Sequence, residues 1–82
     1  MALAQSQPVE IVMLGTALTR SHVVIGRVLS RAYVLEKGVD ELRRQARKLG
    51  ADGVTNVRYE RKFSADYFLD LFYIEGDAVR WQ

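Results

Sequence analysis

The chain has 82 residues, twelve basic and ten acidic, no cysteine, and a hydrophobic share of 49%. That is enough for one small domain with a thin stability margin, and it excludes disulfides and thiolate metal sites as reinforcement. A net charge of +2 is too small to call for a nucleic-acid partner, and no apolar run approaches the ~18 residues of a membrane span.

Residues 1–8 are polar and aperiodic and read as a flexible tail, which leaves 9–82 as a single α+β domain. Pro8 suits the beginning of a strand, where its missing N–H costs little. Val9 to Leu14 reads as a short first strand, followed by a mixed stretch from Gly15 to Ser21. His22 to Val34 reads as the second strand because of its β-branched content, with Val24, Val28 and Ala32 on one parity and Arg27, Leu29 and Arg31 on the other. Gly26 inside it marks a bulge or a close backbone approach.

Gly38 to Gly50 carries the helical signal. Val39, Leu42, Ala46 and Leu49 are spaced three, four and three, which forms one apolar stripe. Asp40 is the expected N-terminal cap, and it can pair with Arg43 or Arg44. Gly50, Asp52 and Gly53 form the cap and turn that follow. Val54 to Lys62 is the third strand, Phe63 to Asp66 a turn, and Tyr67 to Ile74 the strongest strand of the chain. A bend at Glu75 to Asp77 and a continuation over Ala78 to Trp81 complete the reading.

The predicted order is β-β-α-β-β: one helix packed on a mainly antiparallel sheet, with the last two strands as a hairpin. One helix covers a four-stranded sheet poorly, and the edge strands are long. Copies that join edge to edge or close into an oligomeric ring remove both defects. The apolar positions Tyr67, Leu69, Leu71 and Tyr73 are the expected oligomer interface. Charge is lopsided in the same sense. Arg20 to Lys62 holds eleven of the twelve basic residues against five acidic ones, whereas Phe63 to Gln82 holds Arg80 against four acids. Such segments can attract each other within a chain or between copies, or can simply be two solvated faces.

The segment QARKLGADGVTNVRYE, Gln45 to Glu60, resembles the YbjQ family, whose name refers to heavy-metal binding. Members typically show a helix ending in A-x-x-L-G-A-(D/N)-(A/G)-V and then a strand. Tyr73 to Trp81 is similar to the family's closing strand, and Gly15 to Val34 fits its opening strands. The usual segment of about thirty residues before the helix is reduced here to Leu35–Val39, so the chain looks like a shortened member. The resemblance implies an α+β subunit in a homo-oligomeric ring, a pentamer in the family, with no established enzymatic activity.

Site signals are weak. His22 is the one imidazole, and with no cysteine it is the only candidate ligand for a soft metal. No set of nucleophile, base and acid can be assembled around it, so no enzyme and no cofactor is expected. Asp70 interrupts an apolar strand and calls for a partner, with Arg27 the candidate for a buried ion pair. The basic residues Arg43, Arg44, Arg47, Lys48, Arg58, Arg61 and Lys62, with Tyr59 and Phe63 interleaved, support nucleic-acid binding as a second reading. The glycines of LGADG follow a helix rather than precede one, which fits capping and not a phosphate cradle. Without an export segment or cysteine, the cytoplasm is the expected compartment.

Overall fold

The computed structural model describes residues 8–82; the predicted tail lies outside them but for Pro8. The elements run β1 (Glu10–Met13), β2 (His22–Ala32), α1 (Leu35–Lys48), β3 (Gly53–Ser64) and β4 (Leu69–Trp81). They form one four-stranded sheet in the order β1-β3-β4-β2 with the helix on one face. β4 is antiparallel to both neighbours, and β1 runs parallel to β3. The sheet is therefore mainly antiparallel, and the order β-β-α-β-β matches the pattern expected from the sequence.

The core lies between helix and sheet. Leu42 and Ala46 of the predicted stripe are fully buried against Val28, Val54, Val57, Ile74 and Ala78. Leu49, the last member of that stripe, is 47% exposed. Its Cδ1 instead occupies the space over Gly26, the close approach that glycine permits. The sheet register shifts between Val24 and Gly26, so the bulge expected there is present. That bulge moves Val24 off the core face, and Val24 is 54% exposed while Val28 is buried.

The helix begins at Leu35, three residues earlier than the sequence pattern indicates. Val34 caps it without a side-chain bond, and Asp40 lies inside the helix, where its Oδ1 accepts from Arg43 Nη1 at 2.7 Å. Gly38 is thus a packing position and not a start signal. A Cβ there would stand 2.1 Å from Ile74 Cδ1. The helix end follows the sequence reading closely. Gly50 has φ +79, its N–H donates to Arg47 O at 3.0 Å, and the Ala51 N–H donates to Ala46 O at 2.9 Å. This is a Schellman closure, and it needs a residue at ease in the left-handed region.

Two boundaries in the C-terminal half differ from expectation. β3 runs on to Ser64, and the turn falls at Ala65–Phe68, so Tyr67 lies in the turn and not in β4. The expected bend at Glu75 to Asp77 is absent, because these residues pair with β2 on one side and β3 on the other. Gly53 is the first residue of β3, and Trp81 Cζ2 fills the space its Cβ would need, at 2.7 Å. Asp52 ties the same corner: its Oδ2 accepts the Trp81 N–H at 2.9 Å, and its own N–H donates to Val79 O at 2.8 Å.

Candidate interaction surface

The register assigns each side chain to a face. Residues opposite Phe72, Ile74, Gly76 and Ala78 share the helix side. Those opposite Leu71, Tyr73, Glu75, Asp77 and Val79 share the other, open side. The lower part of the open side is closed off, and Thr55 and Val79 are buried there. Arg20, at the end of the β1–β2 connection, stacks on Trp81 with its guanidinium 4.5 Å from the ring centroid and reaches Glu10 at 3.3 Å. The upper part is uncovered. It holds a shallow cavity of about 620 Å³ whose lining includes Leu29, Arg31, Arg58, Lys62, Tyr73 and Glu75.

Charge in this cavity is partly self-compensated. Glu75 accepts from Arg58 Nε at 3.1 Å and from Arg27 Nη2 at 3.3 Å. Lys62 Nζ lies over the Tyr73 ring, 4.7 Å from its centroid, and 3.9 Å from Glu60 Oε1. No described carboxylate lies within ion-pair distance of Arg31, which borders both this cavity and a smaller one of about 230 Å³ beside Tyr33, Tyr67 and Leu71. Arg31 is thus the cation in this region that an external anion can engage.

The backbone edges are unequal. At the β2 edge, Gln45 of the helix receives the Leu29 N–H on its Oε1 at 3.2 Å and donates from Nε2 to Leu29 O at 2.7 Å. The side chain fills the place of a pairing strand, a guard against edge association. β1 ends at Met13, whose partner is Val57. From Arg58 to Ser64, β3 therefore has a ladder partner, β4, on one side alone among the described residues. This stretch carries exposed Tyr59 and Phe63, and beyond it the turn carries exposed Tyr67 and Phe68, the last 83% exposed at φ +56. A bulky side chain with left-handed backbone is strained, and here it is held out to solvent.

The residues singled out from sequence fall as follows. Leu69, Leu71 and Tyr73 do share the open side with the cavity, but Leu71 is already buried in the single chain, at 6% exposure. The Asp70–Arg27 pair does not form. Asp70 lies opposite Phe63 near the turn, on the helix side and half exposed, and its Oδ2 is 3.8 Å from Arg61 Nε. Arg27 sits opposite Asp77 on the open side and engages Glu75. Parity and distance along β4 both separate them. His22 lies edge-on to Trp81 at 6.0 Å, and its Nδ1 is 3.0 Å from Arg20 O, which selects the tautomer protonated at Nδ1. Among the described residues no three acidic or imidazole groups come together as a metal site would require. Five of the basic residues considered for nucleic acid are engaged with carboxylates: Arg43 with Asp40, Arg44 with Glu41, Arg58 with Glu75, Arg61 with Asp70 and Lys62 with Glu60. The Arg44 bond, with a second from Gln45, holds the Glu41 carboxyl down at about 2. The free β3 edge was not legible in sequence, because it depends on where β1 stops.

The fold and this surface define a class: a small α+β domain with one helix on a mixed sheet and an open flank. Comparison with family models and with curated proteins gives no match. Among solved structures the chain is similar to a protein of unknown function of the DUF74 family from Pediococcus pentosaceus. The TM-score is 0.67 over 88% of this chain and 98% of that one, at 9% identity. The likeness establishes the fold. No helix of the described chain is long and apolar enough to cross a membrane.

Proposed function

We propose that this chain is a non-enzymatic module that works as an assembly of copies of itself. The observation that carries the reading is the unpaired β3 edge from Arg58 to Ser64, flanked by exposed Tyr59, Phe63, Tyr67 and Phe68. Unpaired N–H and C=O groups beside exposed aromatic side chains form a template for another strand. The LGAD resemblance points the same way: DUF74 is the YbjQ-like family, whose members it implies to be ring-forming. The open-side cavity, with Arg31 available, is the place such an assembly offers a small anionic ligand, and the cysteine-free chain suits the cytoplasm.

Light scattering at micromolar concentration tests this. A mass that is a multiple of 9.3 kDa is expected, and it separates the pentamer implied by the resemblance from closed assemblies of other symmetry. A well-folded monomer at all concentrations overturns the reading.

A further inference from the structure

Two cavities on the open side of the sheet meet at one side chain. Arg31 borders both, the larger of about 620 Å³ and the smaller of about 230 Å³. In the larger, charge decides. Both Glu75 oxygens are taken, Oε1 by Arg27 and Oε2 by Arg58, so two guanidinium groups hold one carboxylate and leave an excess of positive charge. Arg31 stands opposite Tyr73 on one flank of β4, and Lys62 stands opposite Leu71 on the other. About 10 Å of sheet separates the strands that carry them. Lys62 leans inward, with Nζ 4.7 Å from the Tyr73 ring centroid, so the two cations border one space over that ring.

Two cations set apart in this way select the anion. A carboxylate is planar and is satisfied by the fork of a single guanidinium. A phosphate monoester carries close to two charges and three peripheral oxygens, and it can engage cations on opposite sides at once. Glu60 is the lining carboxylate that opposes it. Its side chain is 71% exposed and its contact to Lys62 is long, at 3.9 Å, so it stands at the rim.

The smaller cavity has no charged group besides Arg31. Exposed Tyr33 and Tyr67 are its walls, and buried Leu71 is its floor. Neither tyrosine pairs with another aromatic ring among the described residues. Free aromatic faces over an apolar floor take a planar ring by stacking. Leu71 and Tyr73 are two positions apart on β4, about 7 Å, so ring and phosphate would sit one sugar apart. The open side offers one phosphate seat rather than a track. Beyond it Arg27 and Arg58 are engaged with Glu75, and Asp77 accepts from Asn56 Nδ2 at 3.1 Å. A single strand of nucleic acid needs a groove of cations that follows its backbone.

We infer that this surface binds a free nucleoside monophosphate, with its phosphate between Arg31 and Lys62 and its base in the cleft of Tyr33 and Tyr67. The inference rests on the reading of the cavity as an anion site and names the anion; it does not depend on the number of copies.

Calorimetric titration with adenosine monophosphate, ribose phosphate and a single-stranded oligonucleotide tests it, with folding of each variant checked by circular dichroism. The nucleotide is expected to bind about fivefold or more tightly than ribose phosphate, the contribution of one stacked base. Arg31→Gln should weaken the nucleotide about tenfold or more, as loss of a charged hydrogen-bond donor does. Tyr67→Ala should remove the preference over ribose phosphate and leave ribose phosphate unchanged. Glu60→Gln should tighten the nucleotide, because the opposing charge is gone. Ribose phosphate bound as tightly as the nucleotide, and dependent on Arg31, overturns the nucleotide and leaves the small-anion reading standing. An oligonucleotide that binds about a hundredfold more tightly, with a steep loss in salt, replaces the free nucleotide as occupant and overturns it. Absence of heat with every phosphate overturns both the nucleotide and the anion site, while the mass from light scattering still decides self-assembly.

Discussion

The two halves of β3 belong to one strand and live in different solvents. From Gly53 to Val57 the strand has β1 on one side, β4 on the other and the helix above. Every residue there is buried except Asn56, which sits in the bulge at φ +54. From Arg58 to Ser64 the strand has β4 alone, and only Ser64 is buried. The difference lies in the neighbours rather than in the strand's propensity. β1 is four residues long and the helix fourteen, so both run out before the hairpin does. The covered half holds the domain together, and the uncovered half is the edge on which the proposed assembly rests.

Substitutions should separate the halves. In the covered region Leu42→Ala, at a site with no exposure, is expected to cost about 3 kcal/mol of unfolding free energy, as large-to-small core changes do. Gly76→Ala should follow at about 2 kcal/mol, because the new methyl meets Val54 Cγ1 at 2.6 Å and the Thr55 carbonyl oxygen at 3.2 Å. Urea unfolding at constant concentration measures both. A loss below ~1 kcal/mol for either would mean that the covered half is less tightly packed than its burial shows.

In the uncovered half the balance should invert. Phe63→Ser, at 60% exposure, is expected to leave the stability of the dissociated subunit within about 0.5 kcal/mol while raising the dissociation constant of the assembly. Sedimentation across a dilution series reads the second effect, and an unchanged constant would remove Phe63 from the interface.

The smallest effect concerns the helix that divides the halves. Arg44 and then Gln45 hold Glu41 at about 2, below its ordinary 4.5. A lowered carboxylate contributes stability that is present above about pH 4.5 and lost as the pH falls toward 2. Glu41→Gln should flatten the urea midpoint over that window without changing it at pH 7 beyond the loss of one exposed pair. An identical acid slope in the variant would assign it to other carboxylates.

Much of the covered half was legible in the sequence. The three-four spacing of Leu42 and Ala46, Gly50 after the last turn, the bulge glycine Gly26 and the β3–β4 hairpin all follow from periodicity and local backbone preference, and all are present. The start of the helix was misplaced because Gly38 reads locally as a breaker, while its role is to admit Ile74. The Asp70–Arg27 pair failed because strand register decides which charges meet: Arg27 lies opposite Asp77, seven residues along β4 from Asp70 and on the other face. Leu71 looked like interface and is buried within the single chain.

Local chemistry by itself determined the class of fold, the order of elements and the way the helix ends, because each depends on residues a few positions apart. Tertiary structure alone decided that β1 lies beside β3, that it stops at Val57, and that Gln45 reaches Leu29. Those contacts join residues far apart in the chain, and their geometry exists only once the sheet has closed. The open edge from Arg58 to Ser64, where the proposed function resides, is a product of that second kind.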